Sequence, residues 1–213
     1  MTFAELQQQL GRRFARLTTN AVVAYPALWH VFRPLMRRQF DAIAPQWDAM
    51  RMPDAFAVLE PALAAVPAAP SRVLDLGTGT GKAAFAIARR FPDADVVGAD
   101  LAPGMIREAQ RLTPAELADR VRFEIADASD LPFDDESFDL VSLANMIPFF
   151  DELARVVRTD GHVLLSFSGG AGTPIYVPFE RLRRELGRRG FTDFADFEAA
   201  GGTALLARKG ARS

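Results

Sequence analysis

The hydrophobic pattern changes about a third of the way along the chain. Near the start, apolar residues recur at three- and four-residue spacing, at Phe3, Leu6, Leu10, Phe14 and Leu17. This spacing predicts an amphipathic helix that packs its apolar stripe on another element. Arg12, Arg13 and Arg16 are expected to lie away from the stripe. Pro34 interrupts the next apolar stretch, so residues 25–40 are predicted to form a broken helix.

Short apolar runs alternate with helical stretches through the rest of the chain. The runs predict strands that begin at Val73 and continue at 96–100, 121–125, 140–143 and 162–167. Two last strands are predicted to form a hairpin around Gly201 and Gly202. Helices are predicted at 54–65, 82–90, 103–112 and 149–157, with one more that Pro178 begins and Gly190 ends. This pattern favours a mostly parallel sheet with an antiparallel C-terminal strand.

The first strand runs directly into a glycine-rich loop that carries Gly77, Gly79 and Gly81. Glycines let a ligand approach the backbone, and the N–H groups of the next helix can hold an anionic group. A phosphate-binding P-loop would need glycine in place of Leu76 and Ser or Thr in place of Ala83. A dinucleotide-binding fingerprint would need its third glycine where Lys82 stands. The loop therefore matches neither pattern.

The G-x-G-x-G spacing, with Asp75 two residues before it, resembles motif I of class I S-adenosylmethionine-dependent methyltransferases. Later segments are similar to the family in order and separation, at 91–100, 101–109, 126–133 and 135–141. The resemblance implies an α/β, Rossmann-like, doubly wound fold with seven strands in the order 3-2-1-4-5-7-6. It implies a cofactor-binding methyltransferase domain at 69–213, and we expect residues 1–68 to form an N-terminal helical cap.

The same resemblance implies roles for individual residues. Asp75 faces the amino acid end of the cofactor, and Asp127 binds the adenine amino group beside Ala128; the alternative for both acids is a simple turn residue. Asp100 lies about twenty residues past the last glycine, where an acid reaches the ribose hydroxyls. Trp47, in the segment 40–48, takes the place of an aromatic that closes over the cofactor. The cofactor-binding set is completed by Gly77, Thr78, Gly79, Gly81, Leu101, Met105 and Asn145.

Methyl transfer is an in-line displacement with a neutral thioether leaving group, so positioning alone can supply much of the rate. Effective molarities of about 10⁵–10⁸ M are available in this way. A base is needed only for a hydroxyl or a protonated amine acceptor. His30 and Tyr25 are the predicted catalytic candidates, with Tyr176 behind them, and packing roles are the alternative for all three.

Composition and charge narrow the class of acceptor. The chain has 25 basic and 27 acidic residues, so it has no strong overall field for nucleic acid or for an anionic membrane. It lacks cysteine, which excludes disulfides and thiol-dependent methylation of arsenic. The run that begins Asn145-Met146-Ile147 departs from the Asn-Pro-Pro-aromatic run of amino-group methyltransferases that act on DNA bases or protein glutamine. Arginines around Leu182 and Leu186 are interpreted as a solvated helix side.

The aromatic residues Tyr25, Trp29 and Trp47 concentrate near the start, and 21–32 contains no Lys or Arg. We expect this segment to close an apolar pocket, bordered by Trp47 and His30, for a small organic acceptor. Two alternatives are a methyltransferase for nucleic acid or protein and a non-catalytic assembly protein that binds S-adenosylmethionine. We expect no nucleic acid partner, no membrane span and a possible homodimer. The first residues lack signal-peptide features, which predicts a cytoplasmic protein.

Overall fold

A computed structural model describes residues 3–50 and 54–211. The helices are α1 Phe3–Ala24, α2 Trp29–Ile43, α3 Leu59–Ala64, α4 Lys82–Arg90, α5 Pro103–Leu112, α6 Phe150–Val156 and α7 Phe179–Gly187. Short 3-10 helices lie at Pro26–Leu28, Ala44–Met50, Ala115–Leu117 and Gly170–Gly172. The strands are β1 Arg72–Leu76, β2 Asp95–Asp100, β3 Val121–Ile125, β4 Phe138–Ala144, β5 Val157–Phe167, β6 Phe191–Ala199 and β7 Gly202–Lys209.

The seven strands form one sheet in the order β3-β2-β1-β4-β5-β7-β6, which confirms the predicted topology. β1 lies at the centre and pairs in parallel with β2 and β4. β7 runs antiparallel to both β5 and β6. Because parallel strands end at the same edge, the loops after β1, β2, β3 and β4 meet there, and open sheets of this kind bind ligands at that edge.

The core is divided by the sheet into two apolar layers. Successive residues of a strand point to opposite faces, so Val73 joins one layer and Leu74 the other. The layer around Val73 contains α3 and α4, whereas the layer around Leu74 contains α6 and α7. The site therefore rests on a sheet that is covered on both faces.

Two predicted elements have different bounds in the structure. The helix predicted at 54–65 begins only at Leu59. Pro61 explains this start, because proline lacks an N–H and is tolerated only in a first turn. β5 begins at Val157 instead of 162, because residues 157–161 continue as strand along a register shift in β4. The predicted bounds of α4 and α5 are confirmed.

The sequence predicts that Pro34 bends or ends a helix within residues 25–40, but α2 runs through Pro34 to Ile43, so the helix does not end there. The missing N–H would have bonded to the carbonyl of His30, four residues earlier. His30 lies near the exposed start of the helix, so that carbonyl is left to solvent. The helix can therefore continue through the proline.

α1 is a helix as predicted, but its predicted packing is wrong. Leu10 and Leu17 of the apolar stripe are 55% and 68% exposed, whereas Thr18 and Thr19 on the other side are buried. Arg12 and Arg16 lie on the buried side, where Arg12 donates to the Gly172 carbonyl and Arg16 reaches those of Ala171, Thr173 and Tyr176. Arg13 is exposed and lies beside the stripe instead. The side chain of Phe3 lies outside the described side chains.

None of the described helices combines the length and apolar character needed to cross a membrane.

Candidate cofactor and acceptor site

The glycine loop is fixed to the end of the neighbouring strand. The backbone N–H groups of Gly77 and Thr78 both donate to the carbonyl of Ala99, at 2.8 and 3.0 Å. The Thr78 hydroxyl donates to the carboxylate of Asp75 at 2.6 Å, and Asp75 is only 1% exposed. Asp75 therefore shapes the loop from beneath, and its contact with the cofactor stays a prediction.

All three loop glycines have a left-handed backbone. The φ angles are 70° at Gly77, 56° at Gly79 and 85° at Gly81, a region that favours glycine. A Cβ atom at Gly77 would lie 2.7 Å from the sulfur of Met146, and one at Gly81 would lie 2.8 Å from the ring of Phe123. Side chains are thus excluded from this floor, which fits a ligand lying against the backbone.

Asp100 ends β2 beside this floor. One carboxylate oxygen accepts from the N–H of Gly79 and the other from that of Ala102, each at 2.9 Å. Burial raises the pKa of Asp100, while the N–H donors of Ala102 and Gly79 oppose that shift. Each oxygen retains further acceptor capacity, because a carboxylate can accept about four hydrogen bonds. This arrangement fits the two hydroxyls of a ribose.

Asp127 follows β3 and is held by α2. The indole of Trp29 donates to one carboxylate oxygen at 2.8 Å, and Arg33 pairs with the other at 2.9 Å. Burial alone would raise the pKa of Asp127, but hydrogen bonds from Arg33, Ser129 and Trp29 outweigh it and lower that pKa. The sequence analysis missed Arg33; its position four residues after Trp29, on the same helix face, is the signal that could have revealed it.

Residues 40–48 lie against the loops that follow β1 and β2. Asp41 accepts from the backbone N–H of Gly104 at 2.6 Å, in the first turn of α5. Asp48 accepts from the Thr80 hydroxyl at 2.7 Å and pairs with Lys82 at 3.3 Å. Neither acid was predicted, although free N–H groups at a helix start need an acceptor.

Trp47 packs on the same part of the molecule. Its ring meets that of Phe40 edge to face, 5.5 Å between centroids, and both pack against Ala44, Ala102 and Met105. Of the remaining predicted cofactor residues, Leu101 is partly buried, whereas Met105 and Ala128 are buried. Trp47 and Met105 therefore pack together just after β2, and the contact of all four residues with the cofactor stays a prediction.

Asn145 joins the ends of β4 and β5. Its backbone is left-handed, with φ of 54°, and its side-chain oxygen accepts from the N–H and hydroxyl of Ser168 at 2.9 and 3.2 Å. That oxygen is thus engaged within the protein. A role in holding the cofactor stays a prediction.

The predicted catalytic residues lie on the outside of the N-terminal helices. Tyr25 is 70% exposed, and His30 is also exposed. The face of α2 that meets the sheet carries Trp29 and Arg33 instead. Tyr176 lies 5.1 Å from the ring of Phe167 and packs against the core. A catalytic role for His30 or Tyr25 stays a prediction, and the structure does not bring the two to the glycine loop.

Apolar side chains pack between α2 and the carboxyl end of β4. Trp29 meets Phe149 edge to face, with ring centroids 5.4 Å apart. The same apolar cluster includes partly buried Phe32, Met36, Leu101 and Met146. Among the described residues, no group of three histidines or acids is placed to hold a metal ion. The site therefore combines a polar cofactor floor with an apolar upper wall.

Comparison with known proteins identifies methyltransferases as relatives of this chain. Residues 73–163 match the methyltransferase domain family. A demethylmenaquinone methyltransferase from Thermus thermophilus is 38% identical over 165 residues, covering 70% of this chain and 74% of that protein. The ubiquinone/menaquinone biosynthesis C-methyltransferase UbiE from Geotalea daltonii is 32% identical over 162 residues, covering 69% of this chain and 67% of that protein.

Solved structures agree at the level of the fold. A SAM dependent methyltransferase from Aquifex aeolicus superimposes with a TM-score of 0.63 at 15% identity, covering 78% of this chain and 98% of that chain. Identity above 30% over most of both proteins reflects common descent, and the chain therefore belongs to the class I S-adenosylmethionine-dependent methyltransferases.

Proposed function

We propose that this protein transfers a methyl group to a ring carbon of a small apolar aromatic acceptor of the quinol class. The observation that carries the proposal is the apolar wall above the glycine loop, where Trp29 and Phe149 meet and Met146 overhangs Gly77. Flat aromatic ligands are held by such surfaces, whereas a nucleic-acid channel would line its aromatics with exposed basic residues. The names of the relatives from Thermus and Geotalea support the same acceptor class.

The chain's residues contribute mainly by positioning. The bound cofactor supplies a methyl group on a sulfonium sulfur. The floor of Gly77 and Gly79, with Asp100, fixes that group in front of the wall, and Trp29 and Phe149 hold the acceptor ring flat against it. Alignment for in-line attack converts an encounter in solution into a reaction within one complex.

The electron balance of the reaction explains why the apolar wall needs no buried base to remove the proton from the ring carbon. A ring carbon next to an ionised hydroxyl supplies the electron pair of the new carbon–carbon bond, and the carbon–sulfur bond breaks with its pair on the thioether. The proton of the ring carbon then leaves to solvent, which restores the aromatic ring. An acceptor in its reduced, hydroxylated form is therefore expected to react, and the oxidised quinone is not.

The test uses the purified protein, methyl-labelled S-adenosylmethionine and a short-chain demethylnaphthoquinone, either reduced with dithionite or left oxidised. Mass spectrometry should find the label on a ring carbon of the reduced acceptor only. The Gly79→Val variant is the matched control, because it removes the cofactor floor from the same protein. Labelling of RNA or of a carrier-protein thioester with none on the quinol would overturn the proposal. Tight cofactor binding with no turnover of the quinol would do the same.

A further inference from the structure

The outward faces of α1 and α2 form an exposed apolar surface, which we call the outer stripe. Its members, each between 38% and 71% exposed, are Leu6, Leu10, Phe14, Leu17, Tyr25, Leu28, Val31 and Leu35. The other exposed large apolar side chains of the described residues are Met50, Leu112 and Ile125, which lie scattered. Phe14 contacts Phe32 with ring centroids 6.3 Å apart, so the faces of the two helices adjoin. Concentrations of this kind mark interaction surfaces.

A rotation of α1 about its own axis could not bury the outer stripe against the rest of the protein. The opposite side of this helix buries Thr18, Thr19 and Val22, and Arg12 and Arg16 on that side donate to carbonyls of the loop after β5. Rotation of the helix would break those hydrogen bonds and leave the loop carbonyls without the arginines. The apolar side therefore faces outward in the folded protein.

The charge around the stripe is opposite in sign to that of the rest of the molecule. Residues 1–43 contain six arginines and two acidic residues, a net charge of +4, although the whole chain carries −2. Arg13 lies three residues after Leu10 and four before Leu17, which makes them neighbours on the helix surface. Arg38 is exposed on α2 and lies three residues after Leu35, which makes the two neighbours on the helix surface. Cations thus border the apolar side chains.

Apolar side chains bordered by cations suit one kind of occupant. A second copy of this chain in a two-fold interface would place two patches of the same positive charge against each other. An anionic bilayer instead offers hydrocarbon to the leucines and phosphates to the arginines. Tyr25, exposed where α1 and α2 meet, has the amphipathic ring that is enriched at headgroup level. We infer that the outer stripe docks this protein on an anionic lipid surface, with α1 lying in the plane of the interface.

This inference goes beyond the proposed function and does not depend on it. Docking uses the outward faces of α1 and α2, whereas Trp29 and Arg33 on the inward face of α2 meet the methyl-transfer site. Failure of one proposal therefore leaves the other standing. If both hold, the apolar wall of the site lies on the reverse side of the helices that touch the lipid.

The test is co-sedimentation of the protein, with residues 1–213 intact, with vesicles at low ionic strength. One set contains phosphatidylcholine and phosphatidylglycerol in equal parts, and the other contains phosphatidylcholine alone. Each exposed arginine near an anionic surface adds about fivefold to binding, so Arg13 and Arg38 predict a preference of about 25-fold. Added salt should weaken binding to the anionic vesicles, because it screens exposed charges.

Paired substitutions distinguish vesicle binding through the outer stripe from non-specific binding through other exposed apolar or charged residues. Leu10→Gln with Leu17→Gln should reduce binding by on the order of tenfold for each leucine. Leu112→Gln with Ile125→Gln removes comparably exposed apolar side chains elsewhere and should change nothing. Arg13→Glu with Arg38→Glu should abolish the preference for anionic vesicles. Arg90→Glu with Arg107→Glu makes the same change in net charge at exposed positions of α4 and α5 and should not.

Three results would overturn the docking surface. The first is no binding to anionic vesicles, and the second is binding that the stripe and control pairs change equally. The third is a dimer in sedimentation velocity that Leu10→Gln with Leu17→Gln converts to monomer, which would assign the stripe to a second copy. Thermal unfolding of every variant checks the fold. If the double variant is destabilised, Leu17→Gln alone, at a position 68% exposed, carries the same comparison.

Discussion

The sheet, residues 72–209, and the N-terminal helices α1 and α2 turn their apolar side chains in opposite directions. In β4, every residue from Phe138 to Leu143 is buried. In α1, the predicted stripe is exposed, whereas the opposite side buries Thr18 and Thr19 and holds Arg16 against a loop carbonyl. Both regions have clear periodicity, so periodicity identifies an apolar face but not what covers it. Within the sheet the cover is another part of the same chain, whereas for α1 we propose a lipid surface.

The two regions also differ in how they are held. The sheet is stabilised by two continuous apolar layers. Of their described residues, α1 and α2 add only Val22, Val23 and Trp29 as buried members of these layers. The rest of their attachment includes polar contacts such as those of Arg16 and the Trp29–Asp127 pair. Partly exposed ion pairs contribute only about 0–1 kcal/mol each. The N-terminal helices are therefore expected to detach more easily than any strand, which is what a cover over a ligand site requires.

The largest expected effect comes from deleting residues 1–40. This removes Trp29 and Arg33 from Asp127 and takes away one wall of the site. Methyl transfer should fall by at least about a hundredfold, since loss of alignment alone can have this effect. The truncated protein should still unfold cooperatively by circular dichroism, because α3 and the sheet retain their core. Full activity in the truncated protein would show that the sheet domain works without a cover.

The second-largest effect is expected from Gly79→Val, which tests the part of the site that the sheet carries. A β-branched residue is disfavoured at φ of 56°, and its side chain would project into the cofactor floor. Binding of S-adenosylmethionine should be lost in calorimetry while the helices α1 and α2 stay docked. Gly187→Val is the control, because nothing lies within 4 Å of a Cβ atom there. Retained binding by Gly79→Val would place the cofactor elsewhere.

The fold was predictable where both ends of an element carry local signals. α4 follows Gly81, a glycine with φ of 85°, and Pro103 is the first residue of α5, so their bounds were predicted correctly. β5 was predicted five residues too short, because its start depends on pairing of Val157 with Phe138, nineteen positions away. The exposed side of α1 was also missed, since no local signal reveals which partner a face meets.

The candidate site follows the same rule. Asp100 was placed beside the glycine loop from its spacing alone, and the structure brings it to Gly79. Arg33 was missed because its partner Asp127 lies 94 positions along the chain. Asp48 was missed for the same reason, with Thr80 lying 32 positions away. Contacts between the N-terminal helices and the sheet are therefore the part of the site that could not be predicted from the sequence.

A smaller effect is expected at Asp100. Removing its carboxylate in Asp100→Ala should weaken S-adenosylmethionine binding by about 1.5–3 kcal/mol, because the ribose hydroxyls lose a charged acceptor. Burial raises the pKa of Asp100, so the parent should lose affinity as pH falls, beginning at a higher pH than an ordinary carboxyl would require. Asp100→Asn should bind weakly with no such loss.

Calorimetry across the acid range measures this dependence. Asp95→Asn, at the exposed opposite end of β2, is the matched control and should follow the parent. The assignment of Asp100 to the ribose fails if Asp100→Ala binds as tightly as the parent, or if Asp100→Asn keeps the parent's pH dependence.

The smallest effect concerns the contact that joins the two regions, the ion pair of Arg33 and Asp127. Their side chains are 42% and 13% exposed, so the pair should contribute only about 0.2–1 kcal/mol. A double-mutant cycle of Arg33→Gln and Asp127→Asn, measured by cofactor calorimetry, should give a coupling energy of this size, because Arg33 orients the carboxylate that we expect to bind adenine. The Arg122–Glu124 pair within β3, at 3.2 Å, is the control and should give no coupling to cofactor binding. Strict additivity for Arg33 and Asp127 would mean that α2 and the adenine loop act independently, and the N-terminal helices would then contribute to the acceptor side of the site alone.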